Sequence, residues 1–262
     1  MKPSVAIVQT DSSNQHEMLS DLKLIGGIED HPETVTIKVG IFDERNRNYP
    51  TVPVVKAFIN SLTQAKRIWL VESDNYMGPA LDRLQVWRDV FNAQVAPFNL
   101  SNDPKKRYHQ VNGEQIGLSP VLFKPNWLVS IHALRRGQAG CIFKNLLGLV
   151  PDIKKDRFHD ALGPTLIDIA QAVGWIDLAI IDATYTNSGT WKEGIPLHQE
   201  PTNLLVVGRD PVAVETVGCH LIHEDPLKIP ALAEAKRRQL GETDIKQIRL
   251  LGKFQDISHT HD

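Results

Sequence analysis

Lys144 is the residue whose sequence context points most directly to chemistry. It lies within the apolar run 141–147, where an ammonium group interrupts a hydrophobic pattern, and such interruptions are typical of functional sites. We expect the ammonium to contact an anionic group as a point charge. The alternative is that the aliphatic stem lies on apolar surface while the amine reaches water.

Two histidines flank this lysine in the sequence, His132 before it and His159 after it. Imidazole changes its charge near neutral pH, so the pair could supply a general acid and a general base. Either ring could instead bind a metal or have only a structural role. We predict His132, Lys144 and His159 as the catalytic residues.

The sequence around Lys144 is locally basic, although the formal net charge of the whole chain is -2. Four residues of this region are predicted to bind the anion: Asn145, Arg135, Arg136 and Lys155. Charged runs also form solvated faces, so each of these residues has a purely surface alternative. The balanced total charge argues against a diffuse nucleic-acid-binding surface.

Acidic residues follow two of the apolar segments. Asp182 comes directly after segment 176–181, and Asp210 comes shortly after segment 204–207. Ligands of open α/β sheets bind beyond the carboxyl ends of the strands, so the two carboxylates could together hold Mg²⁺ or another hard cation. The alternative for each acid is that it caps the N-terminus of a helix.

Strands and helices alternate along the chain. Strands are predicted at 5–8, 35–39, 68–71, 95–98, 127–131, 176–181 and 204–207, and helices at 17–25, 54–62, 81–91, 137–149, 165–173 and 211–222. This order predicts an α/β fold with a mostly parallel central sheet and helices on both faces. We expect one domain over residues 1–262. A hairpin-like insertion is predicted near 101–117, turning at Asn112-Gly113, and it is the candidate sub-domain boundary.

Several classes of protein are disfavoured by what the sequence lacks. Cys141 and Cys219 are far apart and form no paired spacing, so neither an iron–sulfur cluster nor a cysteine-ligated zinc site is expected. No apolar run reaches the roughly 18–20 residues that span a bilayer, and no signal segment precedes the first strand. We therefore expect a cytoplasmic protein without membrane contact.

Several blocks of the sequence resemble a known family. Residues 143–151, followed by Lys154-Lys155 and His159, are similar to a signature of the family called domain of unknown function 362. Residues 180–183 and 208–215 resemble later blocks of that family, and residues 36–38 and 71–73 resemble earlier ones. The resemblance covers most of the chain. It implies an α/β fold but no settled reaction.

Carried over residue by residue, the resemblance implies one pocket and adds Glu215 to the two predicted metal ligands. The implied pocket consists of His132, Lys144, Asn145, His159, Asp182, Asp210 and Glu215. Many family members also carry a ferredoxin-like segment. This chain shows none, so electron transfer would need a redox partner protein or another cofactor.

Three departures from the family pattern could alter the substrate or abolish catalysis. Where the family has lysine-threonine-histidine, this chain has Ser130-Ile131-His132, so only the histidine is retained. Glu215 replaces an aspartate, and residues 186–191 replace a glycine-rich stretch.

The leading hypothesis is an enzyme that acts on a small anionic or phosphorylated metabolite, with a divalent cation as the expected cofactor. The alternative is a non-catalytic accessory protein that binds a metal or cofactor in a redox or cofactor pathway. A third reading gives the motif residues purely structural roles. The expected partners are a small anionic molecule and either a second copy of the chain or a redox protein, but not nucleic acid.

Overall fold

A computed structural model describes residues 2–10, 33–137 and 139–252 of the chain. The predicted helix at 17–25 and the polar tail at 255–262 lie outside the described residues. The strands are β1 (Ser4–Gln9), β2 (Thr34–Val39), β3 (Arg67–Glu72), β4 (Val95–Asn99), β5 (Arg107–Val111), β6 (Glu114–Leu118), β7 (Trp127–Arg135), β8 (Leu178–Ser188), β9 (His198–Gly208) and β10 (Arg249–Leu251). The α-helices are α1 (Val52–Ser61), α2 (Ala80–Leu84), α3 (Ile142–Asn145), α4 (Leu162–Ala172), α5 (Pro211–Leu221) and α6 (Pro230–Arg237).

Eight of the described strands form one large sheet in the order β10-β1-β9-β8-β7-β2-β3-β4. Neighbours pair in parallel except for β9, which is antiparallel to both β1 and β8. The mostly parallel sheet predicted from the alternating elements is therefore confirmed. Strand β9 is reversed because it follows β8 directly, and two strands joined without a crossover element must run antiparallel.

Two apolar cores lie on opposite faces of this sheet. On one face, Val55 and Phe58 of α1 pack with strand residues such as Ile37. On the other face, α3 to α6 pack against strand residues that include Leu128 and Ile181. Strands covered on both faces bury their polar positions as well as their apolar ones. Helices on both faces are thus confirmed.

The insertion near 101–117 is a two-stranded hairpin formed by β5 and β6. Asn112 and Gly113 have φ angles of 47° and 80°, and positive φ at both central residues is the requirement of the favoured two-residue hairpin turn. The predicted turn is therefore confirmed.

The helix predicted at 137–149 is much shorter in the structure. Gly137 and Gly140 have φ angles of 117° and 70°, values that no right-handed helix contains. Residues 137 and 139–141 are consequently outside the helix. Helix α3 spans Ile142–Asn145, and a 3₁₀ turn continues over Leu146–Leu149. No described helix is long and apolar enough to cross a bilayer.

Candidate functional site

The carboxyl ends of β2, β3 and β7 meet beside the short helix α3, on one face of the sheet. Lys38 of β2 pairs in register with Ser130 of β7, so both side chains point to that face. His132 lies two residues beyond Ser130 and shares the same face because side chains alternate along a strand. Helix α3 covers these residues and contributes Lys144 and Asn145.

A buried ion pair forms the floor of this region. The Lys38 ammonium contacts Glu72 Oε2 at 2.9 Å, and the side chains are 1% and 6% exposed. Burial lowers the pKa of Lys38, while the Glu72 carboxylate opposes that change. A side chain at Gly148 would meet both partners within 2.7 Å, so glycine is needed there for the 3₁₀ turn to approach the pair. Glu72 also accepts the backbone N–H of Ser73 at 2.9 Å.

Asn145 connects the ion pair to the two strands. Its Oδ1 accepts a hydrogen bond from Lys38 Nζ at 2.7 Å. Its Nδ2 donates to the Lys38 carbonyl, Ser130 Oγ and the Ile131 carbonyl at 2.8, 3.0 and 3.2 Å. The amide predicted to bind a ligand is therefore hydrogen-bonded to protein groups, and these bonds fix α3 against β2 and β7.

Lys144 and His159 form the accessible part of the site. Lys144 Nζ lies 3.1 Å from His159 Nε2. Burial lowers the pKa of Lys144 to about 8, and the nearby Arg135 guanidinium contributes to that shift. Burial and the Lys144 charge lower the pKa of His159. The imidazole therefore stays neutral near pH 7 and accepts a hydrogen bond from the ammonium.

Arg135 is the second cation of this cluster. It acts on the pKa of Lys144 and of His132, which places its charge close to both. No described carboxylate forms an ion pair with Arg135 or with Lys144. The Nε of Arg135 is buried and has no hydrogen-bond partner among the described residues. Such an orphaned donor is costly unless a ligand or water completes it.

His132 is neutral and has a defined tautomer. Its Nδ1 lies 2.8 Å from the Ala133 carbonyl, so Nδ1 carries the hydrogen and Nε2 is the acceptor. Burial, with the charges of Arg135, Lys38 and Lys144, lowers its pKa to about 3. The ring rests on Gly40, where a Cβ would lie 1.9 Å from the imidazole.

The other two predicted ligand-binding cations have protein partners. Lys155 Nζ donates to Ser73 Oγ at 2.6 Å and to the Asp74 carbonyl at 2.9 Å, and burial lowers its pKa to about 8. Arg136 donates from Nη1 to the Ile222 carbonyl at 2.6 Å. Lys155 thus borders the buried ion pair, whereas Arg136 stabilises a loop contact.

The three acids predicted as metal ligands do not meet in the structure. Asp182 accepts the N–H groups of Thr51 and Thr184 at 2.6 and 2.9 Å. Asp210 caps α5 through Val212 and Ala213, and Glu215 accepts from Cys141 and Phe143 at 2.6 and 3.0 Å. Among the residues that the structure describes, no three His, Cys, Asp or Glu side chains are placed to hold a metal.

Strand direction separates Asp182 from Asp210. Leu205 of β9 pairs with Asp182, whereas Gly208 pairs with Ala179, so β9 carries the chain back toward the amino ends of the parallel strands. Asp210 therefore lies beyond the amino ends of the parallel strands, roughly 15 Å from Asp182 along the strand direction. Asp182 also points to the α1 face, away from His132, because the register pairs His132 with Ile181.

Cys141 and Cys219 are free and buried. Burial is the main cause that raises the pKa of both thiols, and the Glu215 carboxylate adds to it.

Sequence reasoning did not include Lys38 and Glu72 in the site. The available signal was a lysine inside a β-branched strand and a glutamate at the end of the next strand. Recognising the pair required knowing that both strands are neighbours and that α3 covers them.

Comparisons with known proteins identify a family. The profile of the domain of unknown function family DUF362 matches residues 35–220. The solved structure of the lactate racemase apoprotein from Thermoanaerobacterium thermosaccharolyticum is similar with a TM-score of 0.49 and 10% identity, over 86% of this chain. The chain spans 58% of the length of that structure. No curated protein matches the chain.

The family profile covers well over half of the sequence, including Lys38, Glu72, Lys144 and Asn145. The chain therefore belongs to the family called domain of unknown function 362.

Proposed function

We propose that this protein is an enzyme that binds a small anionic metabolite at Arg135 and Lys144 and exchanges a proton with it through Lys144. The observation that carries the proposal is a cluster of two cations and two neutral imidazoles, in which no described acid forms an ion pair with either cation. Partly buried charges of one sign are unfavourable together. A phosphate or carboxylate group would compensate both charges and supply the missing acceptor for Arg135 Nε.

The cluster is also suited to proton transfer near neutral pH. A lysine with a pKa of about 8 leaves roughly one fifth of its amine neutral at pH 7.4, and a group whose pKa is near the working pH is an efficient acid or base. His159 is exposed and lies 3.1 Å from Lys144 Nζ. It can relay the proton between the amine and water, while Arg135 keeps its charge and holds the anion.

The roles of the remaining predicted residues follow from their contacts. His132 presents the unprotonated Nε2 as a hydrogen-bond acceptor, which selects for a ligand donor such as a hydroxyl group. Asn145 and the Lys38–Glu72 pair position α3. No metal is included in the proposal because Asp182, Asp210 and Glu215 are engaged elsewhere. An assembly with a second copy or a redox protein stays a prediction.

The binding step can be tested by calorimetry with inorganic phosphate and with acetate. Lys144→Met keeps the aliphatic stem and removes the charge, and we expect it to weaken binding by at least ten-fold. The matched control is Lys154→Met, since Lys154 is an exposed lysine of the same basic region and its loss should leave binding unchanged. Equal binding by both variants, with unchanged circular dichroism, would contradict the proposal.

Catalysis can be tested once native mass spectrometry has identified a co-purifying anion. The protein is incubated with that compound in D₂O, and incorporation of deuterium or conversion is followed by NMR. We expect turnover by the wild type and by Lys154→Met but not by Lys144→Met. Stoichiometric binding without any exchange or conversion would favour the accessory binding protein instead.

A further inference from the structure

Three aromatic side chains form an exposed cluster in the loops that follow β2, β3 and β8. Phe42, Tyr76 and Trp191 are 38%, 64% and 36% exposed. Their ring centroids are 5.1, 5.4 and 6.3 Å apart, and their planes are inclined by 73° to 87°. Rings set nearly at right angles present both edges and faces to solvent. A cation is attracted to the ring faces of such a cluster.

Carboxylates surround this aromatic cluster. The pKa of Tyr76 is raised by burial first and then by the charges of Glu193, Asp156 and Asp43. Asp43 is paired with Arg45, which also reaches Glu193 at 3.5 Å. Asp156 forms no ion pair with any described residue. The Asp156 carboxylate is thus a negative charge near Tyr76, and it would attract a cation bound to the aromatic cluster.

The aromatic cluster adjoins the cation cluster of Arg135 and Lys144. The His132 ring rests on Gly40, and Phe42 follows Gly40 by only two residues, a span of about 7 Å at most. Asp156 acts on the pKa of both Tyr76 and His159, so its carboxylate lies near each of the two groups. One small molecule can therefore reach both clusters.

We propose that the ligand is a zwitterion, whose ammonium group binds the faces of Phe42, Tyr76 and Trp191 while its phosphate or carboxylate binds Arg135 and Lys144. This inference rests on the anion site proposed above and names the class of its ligand. A quaternary or alkylated ammonium fits best, because it binds aromatic faces without needing hydrogen-bond acceptors. The nearby carboxylates add long-range attraction without a direct contact.

The probe pair for the test is choline phosphate and 3,3-dimethylbutyl phosphate. The two esters have the same shape and the same anionic group, but only the first carries a positive charge. Calorimetry on the wild type should give a dissociation constant about five-fold lower for choline phosphate, the magnitude expected for one partly exposed cation–π contact. Tyr76→Leu and Trp191→Leu should each reduce that preference toward unity.

Tyr108→Leu is the matched control, since Tyr108 is 65% exposed on the β5–β6 hairpin and is not part of the aromatic cluster, so its loss should keep the five-fold preference. Equal affinity for both esters in the wild type, with binding still lost in Lys144→Met, would overturn the zwitterion and leave the anion site intact. A preference that survives both Tyr76→Leu and Trp191→Leu would also overturn it. Absence of binding of either ester and of inorganic phosphate would refute the anion site itself, and the zwitterion with it.

Discussion

Removal of the Lys38 ammonium should destabilise the protein strongly. In Lys38→Met the side-chain volume is nearly kept, but Glu72 loses its partner at 2.9 Å. The next cation, Arg83, lies 4.0 Å from the same carboxylate oxygen. Asn145 Oδ1 and the Val39 carbonyl lose a donor at the same time.

The expected magnitude follows from these contacts. Breaking a buried ion pair by removing one partner costs about 3–5 kcal/mol, because a buried charge is left uncompensated. The partial compensation by Arg83 favours the lower half of that range, whereas the two unsatisfied acceptors favour the upper half. We therefore expect the free energy of unfolding to fall by about 4 kcal/mol. Lys38→Met/Glu72→Met removes both partners of the pair, although Arg83 then loses the carboxylate 4.0 Å away. The loss should still be at least about 2 kcal/mol smaller than the sum of the two single losses.

Urea denaturation followed by circular dichroism measures these free energies. The matched control is Lys66→Met, which breaks an exposed pair with Glu33 whose side chains are 73% and 69% exposed and should cost less than about 1 kcal/mol. If Lys38→Met were as stable as Lys66→Met, the buried pair would not stabilise the fold. If the stability losses of Lys38→Met and Glu72→Met simply added in the double variant, the two side chains would not be coupled.

Two further predictions concern the face that carries α3. Burial raises the pKa of Glu215 to about 7 from its ordinary value of 4.5, so the folded protein holds a proton that the unfolded chain has released. The free energy of unfolding should therefore decrease as pH rises from 4.5 through 7, by about 3 kcal/mol in all for this group. In urea denaturation at pH 5 and pH 8, Glu215→Gln should lack this pH-dependent decrease. The same decrease in the wild type and in Glu215→Gln would contradict the prediction. Cys141 and Cys219 should not react with Ellman's reagent at pH 8 until urea unfolds the protein. Burial raises the pKa of both thiols and covers both sulfurs, and only an accessible thiolate reacts. Fast reaction of the native protein would refute their burial.

The layered architecture could be predicted because it depends on local patterns. Alternating apolar strands and helices recur along the chain, and the Asn112-Gly113 turn has a sequence signature that depends on two residues alone. Strand direction has no such signature. The reversal of β9 is a property of the connection between β8 and β9. Because of this reversal, Asp210 lies away from the carboxyl ends of the parallel strands, where a metal site was expected.

The candidate site was predicted in part for a similar reason. Lys144 interrupts an apolar pattern and His159 follows it in the sequence, and the structure places the two side chains 3.1 Å apart. Lys38 alternates with apolar residues along β2, a pattern that normally places a polar side chain in water. Only the packing of α3 on that face buries it. The same packing gives Asn145 four hydrogen bonds to protein groups, which the sequence pattern did not predict.

The titration of Lys144 tests the central claim most directly. In protein labelled with ¹³C at the lysine ε carbon, the Lys144 resonance is assigned by its loss in Lys144→Met and followed between pH 6 and pH 11. We predict a midpoint near 8 that moves upward when inorganic phosphate is added, because a bound anion stabilises the ammonium. A midpoint near the ordinary value of 10.5, unchanged by phosphate, would contradict both the buried cation cluster and the anion site.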